Sequence, residues 1–322
     1  MNVAFLLYNR PDVTRQVFSR IREARPERLL VVCDGPNPSR PGDAEKVRAV
    51  RDVVADANID WPCDVRRNYA ETNMGCRRRV SSGLDWVFEQ VEEAIILEDD
   101  CLPDPTFFPY CAELLERYRA DTRVMMISGD RFTQPMVPCT CSYAFTPLCH
   151  IWGWATWRRA WRLYDREMSQ WPQYRDSGAF PVFFHDPVTV RYFSTFFESV
   201  FRGQIDTWDI QWLFTSLINH GLNIKPCVNL VENIGFGRDA THTTCEPTSG
   251  KFNPLINPAV PLPFPLVHPE SMVQDPLADM LDIQRVSIHG NRFRRISRYA
   301  YRTMSHAIRM MRVLFREDTK QA

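Results

Sequence analysis

Along the first 130 residues, short apolar runs alternate with segments whose apolar positions recur every three or four residues. Val3 to Tyr8 reads as a strand, and Asp12 to Arg25 carries the spacing of a helix behind it. A second apolar run, Leu29 to Cys33, stops at Asp34-Gly35-Pro36, a turn signal. Residues 43–57 and Val80 to Val91 read as helices, Ala94 to Leu97 as a strand, Phe107 to about Arg119 as a helix, and Val124 to Ser128 as a strand. Strands and helices in this alternation predict an α/β fold with a mostly parallel sheet and covering helices.

Beyond residue 130 the pattern turns aromatic and irregular. His150-Ile151-Trp152-Gly153-Trp154-Ala155-Thr156-Trp157-Arg158-Arg159-Ala160-Trp161 places four tryptophans within ten positions. Trp157 and Trp161, four apart on an expected helix, read as core. Residues 186–202 and 207–220 read as helices, and Ile224 to Val231 as a late strand. Prolines dominate from Asn253 to Pro269, predicting an extended segment that wraps the surface or links domains. Over residues 292–316 a helix would carry Phe293, Ile296, Ala300, Met304, Ile308, Met311 and Phe315 on one face and seven arginines opposite, with no acid between. Such a helix suits an anionic membrane surface, or it docks on the main domain by its apolar stripe. The expected organisation is one domain over 1–250, with halves 1–130 and 131–250, a Pro-rich segment over 251–290 and a basic amphipathic helix over 291–322.

The chemistry concentrates at one junction. The run Ala94-Ile95-Ile96-Leu97 stops at Glu98-Asp99-Asp100 and is followed by Cys101-Leu102-Pro103-Asp104-Pro105. A buried strand that ends this abruptly places its acids at the carboxyl edge of the sheet, where open α/β sheets bind ligands. Alternation sends Glu98 and Asp100 to one side and Asp99 to the other. Carboxylates packed side by side at a half-buried edge need a compensating cation. A hard divalent ion, Mg²⁺ or Mn²⁺, shared with phosphate oxygens, provides it with one or two protein carboxylates. The other reading of the same residues is a solvated acidic turn in which Asp100 or Asp104 caps the next helix.

Composition narrows the classes. A chain of 322 residues with 39 Lys+Arg and 39 Asp+Glu has ample core and no net charge to suggest bulk nucleic-acid binding. Its ten cysteines follow no framework, which fits reduced cytoplasmic thiols better than a disulfide scaffold. Cys139-Thr140-Cys141 with Cys149-His150 matches no familiar zinc spacing. The N-terminal apolar stretch is too short for a signal sequence, and no run approaches the ~18 apolar residues of a membrane span. The expected location is the cytoplasm, with the basic segment as a route to the inner membrane face.

With Asn9-Arg10-Pro11 after the first strand, Asp34 after the second, Asn73-Met74-Gly75-Cys76-Arg77 before a helix and then Glu98-Asp99-Asp100, the chain resembles GT-A fold glycosyltransferases. The acids are similar to the DxD-type metal and nucleotide motif. Their surroundings resemble inverting type I N-acetylglucosaminyltransferases and a bacterial group of sugar transferases carrying Trp-Gly-Trp-Ala-Thr-Trp. The resemblance covers about residues 1–245, and the rest resembles the bacterial group alone.

This resemblance implies a GT-A, Rossmann-like sheet and a set of roles. Asn9, Arg10 and Asp34 would lie near base and ribose, Asp99 near ribose or phosphate, and Glu98 in the same donor-binding set. Asp100 would bind the metal directly. Arg77, Arg78 and Arg79 could add contacts to the diphosphate, Arg78 being the candidate, although a solvated helix start explains at least one of them. Asp209, in Asp206-Thr207-Trp208-Asp209-Ile210-Gln211-Trp212, matches the acid of the type I Trp-Asp-Asp-Trp stretch and would be the catalytic base. The alternative makes Asp206 an N-cap with Asp209 at the third helical position. Trp154, or its neighbour Trp152, would floor the sugar site. Asn233 to His242 resembles a glycine-hinged loop in which Arg238 pairs with phosphate and His242 completes the metal shell or contacts phosphate.

The functional expectation is a metal-dependent inverting glycosyltransferase. It would move a sugar from a nucleotide-sugar donor, most plausibly UDP-linked and on the type I resemblance UDP-GlcNAc, to a glycan or lipid-linked acceptor. A sugar nucleotidyltransferase shares the sheet and the metal logic but calls for a glycine-rich, basic N-terminal loop that is not evident here. A catalytically silent glycan-binding or scaffold protein at a membrane surface is the third reading.

Overall fold

A computed structural model describes residues 1–132, 140–178, 180–184, 187–235, 257–274 and 276–287. The first four strands are β1 (Asn2–Leu7), β2 (Arg28–Cys33), β3 (Asp64–Tyr69) and β4 (Glu93–Glu98). They are joined by α1 (Pro11–Ala24), α2 (Asp43–Val53) with a short 3₁₀ turn after it, and α3 (Cys76–Gln90). After β4 come β5 (Cys101–Pro103), α4 (Phe107–Arg117), β6 (Val124–Ser128), β7 (Tyr143–Thr146) and β8 (Trp154–Trp157). Then follow α5 (Arg158–Trp161), α6 (Trp171–Ser177), a second 3₁₀ turn, α7 (Pro187–Phe201), α8 (Asp209–Ile218), β9 (Leu222–Pro226), β10 (Val231–Asn233) and α9 (Pro276–Ser287).

Eight strands form one sheet in the order β3-β2-β1-β4-β8-β6-β9-β7, with only β8 and β7 running against the others. The expected α/β class, a mostly parallel sheet between helices, is what the chain adopts. Period-two alternation sorts the strand residues cleanly. Val3, Phe5, Leu29, Val31, Ile95 and Leu97 face α1, α2 and α4, while Ala4, Leu6, Leu30, Val32 and Ile96 face α3 and α8. A third, phenylalanine-rich cluster around Trp171, Phe180, Phe197 and Phe214 packs α6, α7 and α8 together.

The structure departs from the sequence expectation where a strand is not sandwiched on both faces or has foreign composition. β3, Asp-Val-Arg-Arg-Asn-Tyr, lies at the sheet edge, half exposed, so it shows no apolar run. β8 falls inside the segment expected to be irregular. Its Trp-Ala-Thr-Trp sequence is fully buried between β4 and β6. Trp157 therefore ends a strand and Trp161 sits in α5, both buried as expected but not on one helix. The late strand divides: β9 joins the main sheet, and β10 turns away to pair antiparallel with β5.

Residues 257–274 run without helix or strand across the surface, as the prolines suggest. Val260 N donates to Asn229 O, Leu262 N to Thr106 Oγ1, and Ser142 and Val267 exchange hydrogen bonds, while Leu262 and Leu266 enter the core. The stretch expected to be extended ends in α9, whose first residue is Pro276, a favoured opening position for a helix. The 292–316 segment lies outside the described residues. No helix among the described residues is long and apolar enough to cross a membrane.

One buried ion cluster fastens α9 to the sheet. Lys225 of β9, fully inaccessible, donates to Asp279 Oδ1 and Asp282 Oδ2 at 2.8 Å each, and Thr146 Oγ1 donates to Asp279 Oδ1 at 2.7 Å. Removing the cation would strand two buried carboxylates. Lys225→Ala is expected to lower stability by about 3–5 kcal/mol in chemical denaturation. A loss below about 1 kcal/mol, the range of exposed pairs, would show that water already shares these charges.

Candidate active site

β1 leads on one side to β2 and β3, while β4 lies on its other side, in register from Val3↔Ile95 to Leu6↔Glu98. The chain therefore leaves the carboxyl ends of β1 and β4 in opposite directions and opens a crevice between them, the usual ligand position in such sheets. A cleft of about 370 Å³ occupies it. Its walls are Tyr8 and Arg10 after β1, Asp34 and Arg40 after β2, Asn73, Gly75, Cys76 and Arg79 around the start of α3, and Glu98 to Asp100 at the end of β4. Trp152, Asp206 to Asp209, Asn233 and Gly235 complete the lining.

The acid triplet is compensated by the protein itself. Arg10 Nη1 donates to Asp100 Oδ2 at 2.9 Å, and Arg10 Nη2 makes a short contact with Asp99 Oδ1. Burial opposes the Arg10 charge, but Asp99 and Asp100 more than offset this and hold the guanidinium firmly protonated. Burial, with Asp100 and Asp99 alongside, pushes the Glu98 carboxyl up to about 8. Burial lifts Asp99 to about 6 against the pull of Arg10. The expectation that these acids need a metal to coexist is thus corrected in part: a guanidinium supplies the first compensation.

The unpartnered acid oxygens test whether a divalent ion also fits. Glu98 has no hydrogen-bond donor among the described residues, and Asp100 Oδ1 meets only the Cys101 thiol, at 3.7 Å. Among the described residues, Asp99 Oδ2 is buried without a partner. Among the described residues no three side chains cluster as a complete ligand set. One or two carboxylates with the remaining ligands from phosphate and water is the arrangement magnesium-type ions commonly take, and Glu98 with Asp100 fits that limited role. His242 and Arg238 lie outside the described residues.

Several expected donor contacts are placed differently. Asp34 does line the cleft, but its carboxylate is spent on the protein: it accepts from Gly35 N at 2.8 Å, Met74 N at 2.9 Å and Asn73 Nδ2 at 2.9 Å. Burial raises its pKa while these backbone donors lower it. Asn9 turns away from the cleft and donates to Asp43, which also receives Tyr8 Oη at 2.8 Å and Asn37 N at 2.6 Å. Tyr8, rather than Asn9, lines the wall. Arg78 is exposed and off the cleft. Successive helical residues are about 100° apart, so only one of three arginines can face inward. That one is Arg79, buried and bonded to Asn68 O and Oδ1.

Trp154 is likewise corrected. As the first residue of β8 it is fully buried and stacks on Trp208 with ring centroids 5.4 Å apart. Of the two candidate tryptophans, Trp152 is the one that, with Trp208, lines the cleft. Its N donates to the buried Asp130 Oδ1 at 3.1 Å, and its ring meets Phe132 edge-on at 5.0 Å. The buried Asp130–His150 pair behind it carries no sequence signal.

Asp209 lines the cleft at the first position of α8, where Thr207 Oγ1 makes a short contact with its Oδ1. Asp206 does not cap α8. It caps α3, accepting from Cys76 N at 3.0 Å and Arg77 N at 3.2 Å. Gly75 permits this through its left-handed φ of +80°, and a Cβ there would stand 2.8 Å from Asp206 Oδ2. The loop that presents Asp209 is thereby tied to the start of α3.

No family model matches the chain, and no curated protein matches it. Among solved structures it is similar to a galactosyltransferase, LgtC, in complex with donor and acceptor sugar analogues, at 13% identity over 55% of this chain and 66% of that one, TM-score 0.31. It is similar to apo mouse xyloside xylosyltransferase 1 at 12% identity, 68% and 83% coverage and TM-score 0.33. UDP-glucose pyrophosphorylase complexed with UDP-glucose follows at 10% identity, 45% and 62% coverage and TM-score 0.25. The chain spans less than two thirds of the length of the first and the third. Glycosyltransferases and a nucleotidyltransferase therefore both stand among the structural neighbours, all at low identity.

The α3 cap can be tested directly. Asp206→Ala removes both acceptor bonds and is expected to cost about 1 kcal/mol, whereas Asp206→Asn, which keeps an acceptor oxygen, costs less. Equal losses for the two in thermal denaturation would rule the cap out.

Proposed function

We propose that the chain is a metal-dependent, inverting glycosyltransferase that takes its sugar from a nucleoside diphosphate donor, UDP-linked. The acceptor is a hydroxyl of a glycan or lipid-linked saccharide. The observation that carries this reading is the union in one cleft of a phosphate-ready wall, Arg10 with Glu98 and Asp100, and a separate carboxylate, Asp209 on α8. On this reading residues 1–130 form the donor half and 131–250 the acceptor half, with Tyr8, Asp34 and Asn73 shaping the nucleoside end.

The chemistry follows from these positions. The acceptor oxygen attacks the anomeric carbon as the bond to the diphosphate breaks, and Asp209 takes the acceptor's proton. The nucleoside diphosphate departs with the bonding electrons. A divalent ion held by Asp100 with Glu98 would neutralise the charge that develops on this leaving group. Arg10 adds charge-assisted hydrogen bonds to the phosphate oxygens. Trp152 offers an indole face to the sugar at the acceptor-side wall.

Asp209→Asn is expected to reduce kcat by about 10²–10⁴-fold while leaving UDP affinity, measured by calorimetry, near its original value. EDTA is expected to abolish transfer, and product NMR to show an inverted anomeric centre. Ordinary turnover by Asp209→Asn would remove Asp209 as the base. Formation of a UDP-sugar and pyrophosphate from UTP and a sugar 1-phosphate, with no UDP released from a UDP-sugar, would identify a nucleotidyltransferase instead.

A further inference from the structure

Arg10 reaches from the end of β1 across the crevice and divides its terminal nitrogens between Asp99 and Asp100. Among the described residues it is the one guanidinium paired with the triplet. Of the other arginines lining the cleft, Arg79 is committed to Asn68 and Arg40 lies at the exposed rim. The lining carries six carboxyl residues against these three arginines. A nucleoside diphosphate entering alone adds negative charge to a surplus of acids. A divalent ion entering alone meets a cation already seated on Asp100, and like charges on one carboxylate repel. The backbone at Gly235 closes another approach, since a Cβ there would lie 2.1 Å from Asp100 Oδ2 and 2.6 Å from Arg10 Nη1.

Resting on the glycosyltransferase reading above, we infer that Arg10 makes metal binding conditional on the diphosphate. Without donor it occupies Asp100; when donor and ion arrive together it passes to the phosphate oxygens and the ion takes its place on the carboxylate. The exchange keeps every charged group partnered, because Arg10 trades a carboxylate for a phosphate and Asp100 trades a guanidinium for a metal. Neither ligand completes it alone. A diphosphate by itself would draw the cation off Asp100 and leave a half-buried carboxylate bare. An ion by itself has no anion to receive Arg10. By linkage, each ligand must then tighten the other by the same factor.

The test is a titration of Mn²⁺ followed by electron paramagnetic resonance, with and without UDP, on the wild type, Arg10→Met and Arg10→Lys. Wild type is expected to bind Mn²⁺ weakly, and UDP to tighten it by at least about fivefold. Arg10→Met is expected to bind Mn²⁺ without UDP at least about fivefold more tightly than wild type, with the coupling to UDP reduced. Loss of a merely structural residue would move affinity the opposite way. Arg10→Lys retains the counter-charge, guarding against an unfolded variant, but holds one carboxylate at a time, so it is expected to show a smaller gain. If UDP tightens Mn²⁺ binding in all three proteins and neither variant gains affinity without it, the role of Arg10 is overturned while the donor reading stands. If Mn²⁺ binds to none of them even with UDP, both fall.

Discussion

A single guanidinium joins the ends of the two strands on which this site is built. β1 and β4 lie side by side at the point where the sheet's connections change direction, and each delivers charge to the crevice that this opens. Without Arg10, the carboxylates of Glu98, Asp99 and Asp100 would face one another across a half-buried edge. The desolvation cost of such charges is several kcal/mol each unless an opposite charge and good hydrogen bonds meet them. The bridge therefore constrains more than two side chains. It leaves room for the β10 segment only because residue 235 has no side chain to strike Asp100 or Arg10.

Around this bridge the carboxylates in and beside the cleft divide by what already bonds to them. Asp34, Asp43 and Asp206 each accept from backbone N–H groups and act as cross-links, joining β2 to the 73–75 turn, the 37 turn to α2, and α8's entrance to α3. Glu98, Asp99 Oδ2 and Asp100 Oδ1 lack such donors among the described residues. A carboxylate held by amides is fixed and spent. One left without them is available to a ligand, and here the available ones gather on a single wall, with Asp209 on another.

This division also explains what could be read from the sequence. β1, β2, β4 and β6 were legible because strands buried on both faces are nearly continuous apolar runs, while the edge strand β3 and the tryptophan-rich β8 have no such signature. The triplet was legible as acids that end an apolar run, Arg10, Asp34 and Asp209 through the family resemblance, and all six reach the cleft. What the sequence could not show is which polar group is already satisfied. Asn9 is turned by Asp43, Arg79 rather than Arg78 is selected by helical phase, and Trp152 rather than Trp154 by burial of the strand's first residue. The bond from Asp206 to α3 spans 130 positions, beyond any local pattern.

The fold contains a second cluster of one cation between two acids, and the contrast sharpens the meaning of the first. Lys225 lies wholly inside the protein, and Asp279 also receives a threonine hydroxyl. That cluster is closed: no solvent or ligand reaches its nitrogen, so it fastens α9 and nothing more. Arg10 is one fifth exposed, lines the cleft, and stands beside a third acid and an unpaired carboxylate oxygen. A lysine is a point charge that a tight cage can satisfy, whereas arginine's fork suits carboxylate and phosphate alike. The same charge ratio thus serves as a rivet where it is saturated and as an exchangeable contact where it is not. The chemistry of exchange belongs to the cluster that still has room for an anion.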